Sequence, residues 1–252
     1  MIAQETIQKL ATQRQTSEFP NVVREYFQHL FLSQLYRIEG AENILFKGGT
    51  ALRIIYGSPR FSEDLDFSIF NIEQYQQEKF IEDIFAKVLV EIERSGIKVE
   101  LGPKPGSTKE GYYGEATFKI YDYPSVVVSI NVSSRNSQDI KGEVDSISSD
   151  FVPTYNVFHL PQEKLVEEKI EALLERKKAR DFYDLYFIMR KGFLILEQKK
   201  RLNSSKDEII KNAGNIDFSS ELLALLPQDQ QAIIKDFKNN LFNELNRQLS
   251  GI

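Results

Sequence analysis

Apolar and polar residues alternate in two different ways along the chain. Between residues 21 and 35 and between residues 73 and 95, apolar residues recur every three or four positions, which predicts amphipathic helices. Shorter apolar or alternating runs around these helices predict buried or half-buried strands. The predicted strands are 44–46, 65–70, 97–101, 114–121 and 126–133.

The pattern changes in the later part of the chain. A loop is predicted at 102–106, and residues 136–155 are polar with little periodicity. From residue 161 to the end, the helical spacing of apolar residues dominates. We therefore predict an α+β domain over residues 1–155, with a mixed sheet flanked by helices, and a helical domain over residues 156–252.

The amino-acid composition excludes or disfavours several classes of protein and of functional site. The chain has 252 residues, of which 41% are apolar, and its 32 basic and 37 acidic residues give a formal net charge of −5. This acidity argues against a surface uniformly coated with positive charge for nucleic acid. There is no cysteine and there are only two histidines, so thiolate metal sites are excluded and a zinc site or a serine triad is disfavoured.

Hydropathy along the chain bears on its location. No apolar run is long enough to cross a bilayer. Residues 1–5 also lack the basic and apolar regions of a signal peptide. We therefore expect a cytoplasmic protein that has no membrane partner.

A glycine pair, Gly48 and Gly49, joins a predicted strand to a predicted helix. Two glycines let the backbone approach a ligand closely, and a helix that begins at such a turn directs N–H groups toward it. Thr50 can add a hydroxyl group. The arrangement suits a phosphate, although a lone Gly-Gly pair is usually only a turn.

Two aspartates, Asp64 and Asp66, follow on the next predicted strand. Because they are two residues apart, both side chains project from the same face. Adjacent carboxylates repel each other unless a cation lies between them, and Mg²⁺ takes oxygen ligands while leaving positions for substrate phosphates. A lone Asp-x-Asp pair is more often solvated, but beside the glycine turn it indicates phosphoryl or nucleotidyl transfer.

Two segments carry a family resemblance: 46–53 (FKGGTALR) and 60–68 (RFSEDLDFS). Together they resemble the first signature of the AbiEii/AbiGii nucleotidyltransferase toxin family, within the polymerase-β-like nucleotidyltransferase superfamily. The resemblance extends into the preceding helix and covers most of residues 20–190. It implies a polymerase-β-like core followed by a C-terminal helical domain.

The resemblance also implies roles for the residues of these segments. Asp64 and Asp66 would bind Mg²⁺ and act in catalysis, and the glycine turn would hold the triphosphate of an NTP substrate. Arg60 and Ser62 flank the carboxylates and are expected to face the phosphates, whereas a lysine beside a turn, such as Lys47, is often only solvated. The predicted nucleotide-binding residues near the turn are Lys47, Gly48, Gly49, Thr50, Arg60 and Ser62.

The superfamily commonly has a third carboxylate on a later strand, where it can act as a general base. The matching position in this sequence is Asn131, whose amide cannot take a proton. Glu115 and Asp122 lie nearby in sequence and are candidate replacements. Asn131 could equally satisfy a neighbouring backbone group.

A second motif lies in the helical part of the chain. Its pattern alone predicts a helix break near Lys178, with Asp181 as a cap of the next helix and the basic residues on a solvated face. Family members have a similar lysine and a similar Arg-Asp-x-x-Asp-Leu segment, both tied to activity. The resemblance therefore implies that Lys169 and Arg180 contact the triphosphate, or that Arg180 pairs with Asp184. Asp181 would orient Lys169 or serve as the missing acid–base group.

The function implied by the resemblance is that of a toxin that adds nucleotides from NTP to RNA, at the 3′ end of tRNA, and is held in check by a separate antitoxin protein. Basic residues between Lys164 and Arg201 would offer the RNA a local groove. Two other functions stay open. One is a kinase or nucleotidyltransferase that acts on a protein or small molecule, and the other is a nucleotide-binding module that has lost catalysis, as Asn131 suggests.

Overall fold

The computed structural model describes residues 1–102, 106–108, 111–134 and 140–251. Residues 103–105 of the predicted loop, and residues 136–139 of the polar stretch, lie outside this set. The chain forms two compact units, one made of Met1–Gly57 and Phe61–Leu160, and the other of Ser58–Arg60 and Pro161–Ile252. Within the described ranges, no helix is both long and apolar enough to cross a membrane.

The first unit is built on a mixed β-sheet. Its helices are α1 (Gln4–Gln13), α2 (Val23–Leu35), α3 (Gly48–Ile54) and α4 (Gln74–Arg94). Its strands are β1 (Ile44–Lys47), β2 (Leu65–Ile69), β3 (Lys98–Leu101), β4 (Gly106–Thr108), β5 (Gly111–Lys119), β6 (Val126–Ser134), β7 (Glu143–Ile147) and β8 (Tyr155–His159). The strand order is β3-β5-β6-β2-β1-β8-β7, and β4 pairs with β5.

Strand β2 lies inside the sheet, between an antiparallel neighbour, β1, and a parallel neighbour, β6. Its burial alternates at the start of the strand, because Leu65 and Phe67 are buried and Asp66 is partly exposed. Side chains of a strand point alternately to its two faces. One face of β2 therefore belongs to the core, and the other carries Asp66.

The core of the first unit lies between the apolar face of the sheet and helices α2 and α4, which pack against each other. Aromatic rings fill it. Phe67 has its ring centroid 5.6 Å from that of Phe46 and 6.1 Å from that of Phe85, and Phe27 stacks on Phe118 at 4.8 Å. The two contacts of Phe67 anchor β2 from its buried face.

The second unit is helical. Its helices are α5 (Gln162–Arg176), α6 (Ala179–Lys191), α7 (Leu196–Ser204), α8 (Lys206–Gly214), α9 (Ser219–Leu225) and α10 (Phe237–Leu249). Helix α6 packs against α5, α9 and α10. Its buried Phe182 meets Phe218, whose ring lies 4.6 Å from that of Phe237. The apolar stripes of these helices thus converge on α6.

The structure confirms the predicted fold class, a mixed sheet flanked by helices with further helices at the C-terminal end. It also confirms the break near Lys178, because α5 ends at Arg176 and Lys177 adopts a left-handed conformation with φ of 56° before α6 begins. The strand β7 lies in the polar stretch 136–155, where the sequence pattern predicts no particular element. Four of the five residues of β7 are exposed at the sheet edge, so this strand lacks the apolar alternation that identifies strands in sequence.

The buried position of Phe67 leads to a stability prediction. Phe67→Ala should lower the free energy of unfolding by about 3–5 kcal/mol, because it leaves a cavity among the core rings. Val127→Ala on strand β6 is the matched control, since Val127 is 46% exposed and its truncation should change stability by no more than about 0.5 kcal/mol. Urea unfolding followed by circular dichroism measures both, and equal losses would contradict the proposed anchoring.

Candidate active site

The glycine turn brings the backbone against an acidic side chain. Gly48 has a φ of +83°, in the left-handed region that favours glycine. A Cβ atom added to Gly48 would lie 2.2 Å from Oδ2 of Asp66, which is closer than any contact allows. Gly48 is therefore required both by its conformation and by the carboxylate beside it. Helix α3 begins at Gly48 itself and has seven residues.

Asp66 lies in a row of polar residues across the sheet. It pairs with Lys47 on β1 and with Asn131 on β6, so all three side chains lie on the same face. Asn131 donates a hydrogen bond from Nδ2 to Oδ1 of Asp66, at 3.0 Å. Asn131, the residue where a third carboxylate was expected, thus lies next to Asp66. The Asn131 amide donates to the Asp66 side chain rather than to a backbone group.

Lys47 is largely buried, and its ammonium group is held by the same face of the sheet. Its Nζ donates a hydrogen bond to Oγ of Ser133 on β6, at 2.8 Å. The Oγ atoms of Ser133 and Ser68 lie 3.1 Å apart. The ammonium group of Lys47 is therefore held against β6, on the sheet face that carries Asp66, rather than extended into solvent.

Asp64 immediately precedes β2 and is partly exposed, like Asp66. The hydroxyl of Thr50 donates a hydrogen bond to the backbone carbonyl of Asp64. Thr50 was expected to offer its hydroxyl to the nucleotide. In this structure the single hydrogen of that hydroxyl is donated to Asp64.

The residues present fit a hard divalent cation. Within the part of the chain that the structure describes, no group of three or more His, Cys, Asp or Glu side chains could hold a metal ion. Two carboxylates, Asp64 and Asp66, are the candidate ligands. Mg²⁺ is commonly bound through one or two carboxylates, with water and substrate phosphates in its other positions, so this donor set suits it.

A buried ion-pair group lies in the second unit. Asp184 is 1% exposed and accepts hydrogen bonds from Nε and Nη2 of Arg60, both at 2.9 Å. It also accepts one from Nζ of Lys169, at 2.8 Å. Burial alone would raise the pKa of Asp184, but the charges and hydrogen bonds of Arg60 and Lys169 outweigh burial and lower it.

This group gives the partners of Arg60 and Lys169, both of which were expected near the triphosphate. Arg60 is 3% exposed, and its guanidinium forms a bidentate pair with Asp184. Asp184, and not Asp181, is the partner of Lys169. Asp181 instead accepts hydrogen bonds from Arg176, at 2.7 Å, and from the backbone N–H of Lys178, at 3.1 Å.

Asp181 thus has the predicted position as a cap of α6. Arg180 does not pair with Asp184. Its guanidinium lies 3.3 Å from Glu221, which also accepts its backbone N–H at 3.0 Å. Ser62, expected near the phosphates, is partly exposed, and its backbone carbonyl accepts a hydrogen bond from Gln28.

Comparison with known families decides the class of protein. Residues 30–249 match the family described as "Nucleotidyl transferase AbiEii toxin, Type IV TA system". The chain belongs to the AbiEii family. It is therefore a nucleotidyltransferase of a toxin family from type IV toxin–antitoxin systems. The enzyme class and the family that the resemblance implied are confirmed.

Two solved structures share the fold of this AbiEii chain. JHP933 from Helicobacter pylori aligns with a TM-score of 0.64 at 19% identity and 92% coverage of both chains. A proposed nucleotidyltransferase from H. pylori aligns with a TM-score of 0.63 at 18% identity, over 92% of this chain and 95% of the other. A search of curated proteins gave no match.

Sequence reasoning missed two residues of the AbiEii chain. Asp184 was named only as a partner for Arg180, although its place within an otherwise apolar stretch of α6 was a signal of a paired buried charge. Gln28 received no role, yet it is a polar residue among the apolar positions of α2 and is 1% exposed. Both signals become informative only when the partner is known.

The ion-pair group leads to a pH prediction. Asp184→Asn should destabilise the protein by about 3–5 kcal/mol at pH 7, because Arg60 and Lys169 lose the charge that balances them. Since the pKa of Asp184 is lowered by folding, its carboxylate stabilises the protein above the pKa of the unfolded chain, and this contribution falls as the pH drops further. The difference from the wild type should therefore shrink below about pH 4.

Urea unfolding between pH 7 and pH 3 measures this difference. Asp229→Asn provides a control in the same unit, because Asp229 is exposed and should contribute no more than about 0.5 kcal/mol. A difference for Asp184→Asn that stays constant down to pH 3 would contradict the assigned charge balance.

Proposed function

We propose that this chain transfers a nucleotide from an NTP to the 3′-hydroxyl of an RNA, with the 3′ end of tRNA as the acceptor. The observation that carries the proposal is the close approach of Gly48 to Asp66. A side-chain-free turn and a carboxylate meet at one point, as an NTP with a bound divalent cation requires. Family membership supplies the reaction class, and the polar row across the sheet supports its location.

In this proposal, Asp64 and Asp66 hold Mg²⁺. When bound, Mg²⁺ would neutralise charge on the phosphates and stabilise the attacking and leaving oxygens. The hydrogen bond from Asn131 orients Asp66 through Oδ1, while Oδ2 is the oxygen next to Gly48. The Asp66 carboxylate is therefore turned with one oxygen toward the place proposed for the phosphates.

We assign Lys47 a supporting electrostatic role. Its hydrogen bond to Ser133 fixes the ammonium group on the sheet face that carries Asp66. A fixed positive charge there would favour a triphosphate without the cost of reorganising a flexible side chain.

The base for the incoming hydroxyl is a separate question. Asn131 cannot take a proton, and Asp122 lies in a turn beyond β5. Glu115 lies on β5, and its register with Ser129 of β6 puts it on the same sheet face as Asp66. The hydroxyl of Tyr113 donates to Glu115. Of the two replacements first considered in this unit, we therefore favour Glu115.

Lys169 remains a proposed triphosphate ligand on the strength of the family resemblance. Arg60, Lys169 and Asp184 carry two positive charges and one negative charge, so the group keeps a net positive charge. Arg60 alone balances the charge of Asp184 through its bidentate pair. The positive charge of Lys169 is therefore available to attract a triphosphate. Arg180 is less suited to bind the triphosphate, because Glu221 balances its charge.

The RNA acceptor rests on the family resemblance rather than on a basic surface. Arg201, within the basic stretch, forms ion pairs with Glu167 and Glu171. Arg176 pairs with Asp181, and Lys177 lies 2.8 Å from Glu208. These pairs cancel part of the positive charge expected to form a groove for the RNA backbone.

The function predicts a specific pattern of activity. Purified protein with Mg²⁺ should release pyrophosphate from at least one labelled NTP and place the label in the tRNA-sized fraction of total RNA. Asp66→Asn should reduce the rate by about a thousandfold, since loss of a metal ligand removes several kcal/mol of charge stabilisation. Asp83→Asn, the same chemical change on the exposed side of α4, should leave the rate unchanged.

The measurement separates this function from its alternatives. If the label is found in the protein or small-molecule fraction instead, the acceptor is a protein or a small molecule and not RNA. Nucleotide binding by the wild type without pyrophosphate release, in the presence of RNA and protein fractions, would contradict the transfer reaction and favour a binding module.

A further inference from the structure

Three consecutive backbone carbonyls before β2 are each held by a buried side chain. Nε2 of Gln28 donates hydrogen bonds to the carbonyls of Ser62, at 2.9 Å, and Glu63, at 3.2 Å. The hydroxyl of Thr50 donates to the next carbonyl, that of Asp64. We call residues 62–64 the carboxylate segment, because it ends at one of the two proposed metal ligands.

The carboxylate segment needs such support because it lies outside the sheet. Strand β2 begins at Leu65, and its register with β1 and β6 holds Asp66 on both sides. Asp64 precedes this ladder. The orientation of its peptide unit is therefore set by contacts of another kind, of which the Thr50 hydroxyl is one.

The donors come from two helices of the same unit. Gln28 lies on α2 and Thr50 on α3, directly after the glycine turn, and both are almost completely buried. Arg24, one turn before Gln28 on α2, adds an ion pair to the side chain of Glu63 at 3.2 Å. Side chains of helices α2 and α3 thus hold the carboxylate segment in place.

The hydrogen bonding of Gln28 favours a positioning role over simple packing. Oε1 of Gln28 is buried and has no hydrogen-bond partner among the residues that the structure describes. Turning the amide over would point this oxygen at two carbonyl oxygens, so the observed orientation is the one in which the segment is held. A buried amide with one unsatisfied atom is a costly way to fill space, and an apolar side chain of similar size would fill it better.

We propose that Gln28 and Thr50 are positioning residues that hold the carboxylate segment so that Asp64 meets a divalent cation together with Asp66. This inference rests on the proposed function, because it assumes that these carboxylates bind metal. Groups that orient metal ligands commonly affect metal affinity even though they do not touch the ion. Thr50 also links the glycine turn to the carboxylate segment, since it lies two residues after Gly48.

The test uses Mn²⁺ as the probe and measures its binding to the nucleotide-free protein by electron paramagnetic resonance. Thr50→Val keeps the shape of the side chain and removes the hydroxyl, whereas Thr50→Ser keeps the hydroxyl. Gln28→Met removes the amide at similar length. Ser33→Ala is the control, because Ser33 is also buried on α2 but donates to Leu30 of its own helix.

We expect Thr50→Val and Gln28→Met each to weaken Mn²⁺ binding by about tenfold. Thr50→Ser should stay within about twofold of the wild type, as should Ser33→Ala. With Mg²⁺ at saturating concentration, kcat of Thr50→Val should recover to near the wild-type value while the Mg²⁺ concentration for half-maximal rate rises. Thermal unfolding of each variant in EDTA reports any loss of stability separately.

Two results would overturn the inference. One is unchanged Mn²⁺ affinity in Thr50→Val and Gln28→Met, and the other is an equal loss of affinity in Thr50→Ser or Ser33→Ala, which would mean that the effect follows general stability. Failure of the proposed function looks different, because the wild type itself would then bind no Mn²⁺ and release no pyrophosphate.

Discussion

The alternation of side chains along β2 is the constraint on which the first unit depends. Phe67 points into the core, where it meets Phe46 and Phe85. Its neighbour Asp66 must then point to the opposite face, because the side-chain period of a strand is two. A slip of one residue would bury the carboxylate and expose the ring, so the packing of Phe67 indirectly sets the location of the site.

Asp184 and Asp66 are both carboxylates, but they lie in different electrostatic surroundings. Asp184 is fully buried and bound by two cations, which lower its pKa and make it a structural anion. Asp66 is partly exposed and receives a hydrogen bond from the neutral amide of Asn131, which orients the carboxylate but does not cancel its charge. Of the two, Asp66 is therefore the one that we propose as a metal ligand.

Local patterns were enough to predict several features of the fold. The runs around Phe46 and Phe67 identified β1 and β2, and the helix break near Lys178 was visible because polar residues interrupt the apolar spacing there. The edge strand β7 escaped prediction because its residues are exposed and its stability comes from pairing with β8. The backbone pairing of an exposed edge strand leaves no apolar periodicity in the sequence.

The sequence by itself determined the class of chemistry, because a glycine turn followed by two carboxylates at short spacing limits what the chain can bind. The family resemblance also led us to expect Asn131 where the superfamily has its third carboxylate. Only the tertiary structure decided which partners these groups have. It paired Arg60 with Asp184 across 124 positions of sequence, and it placed Gln28 against the carbonyl of Ser62, 34 positions away. Such partners are chosen by packing and by the cost of burying a polar group alone, and neither acts until the chain has folded.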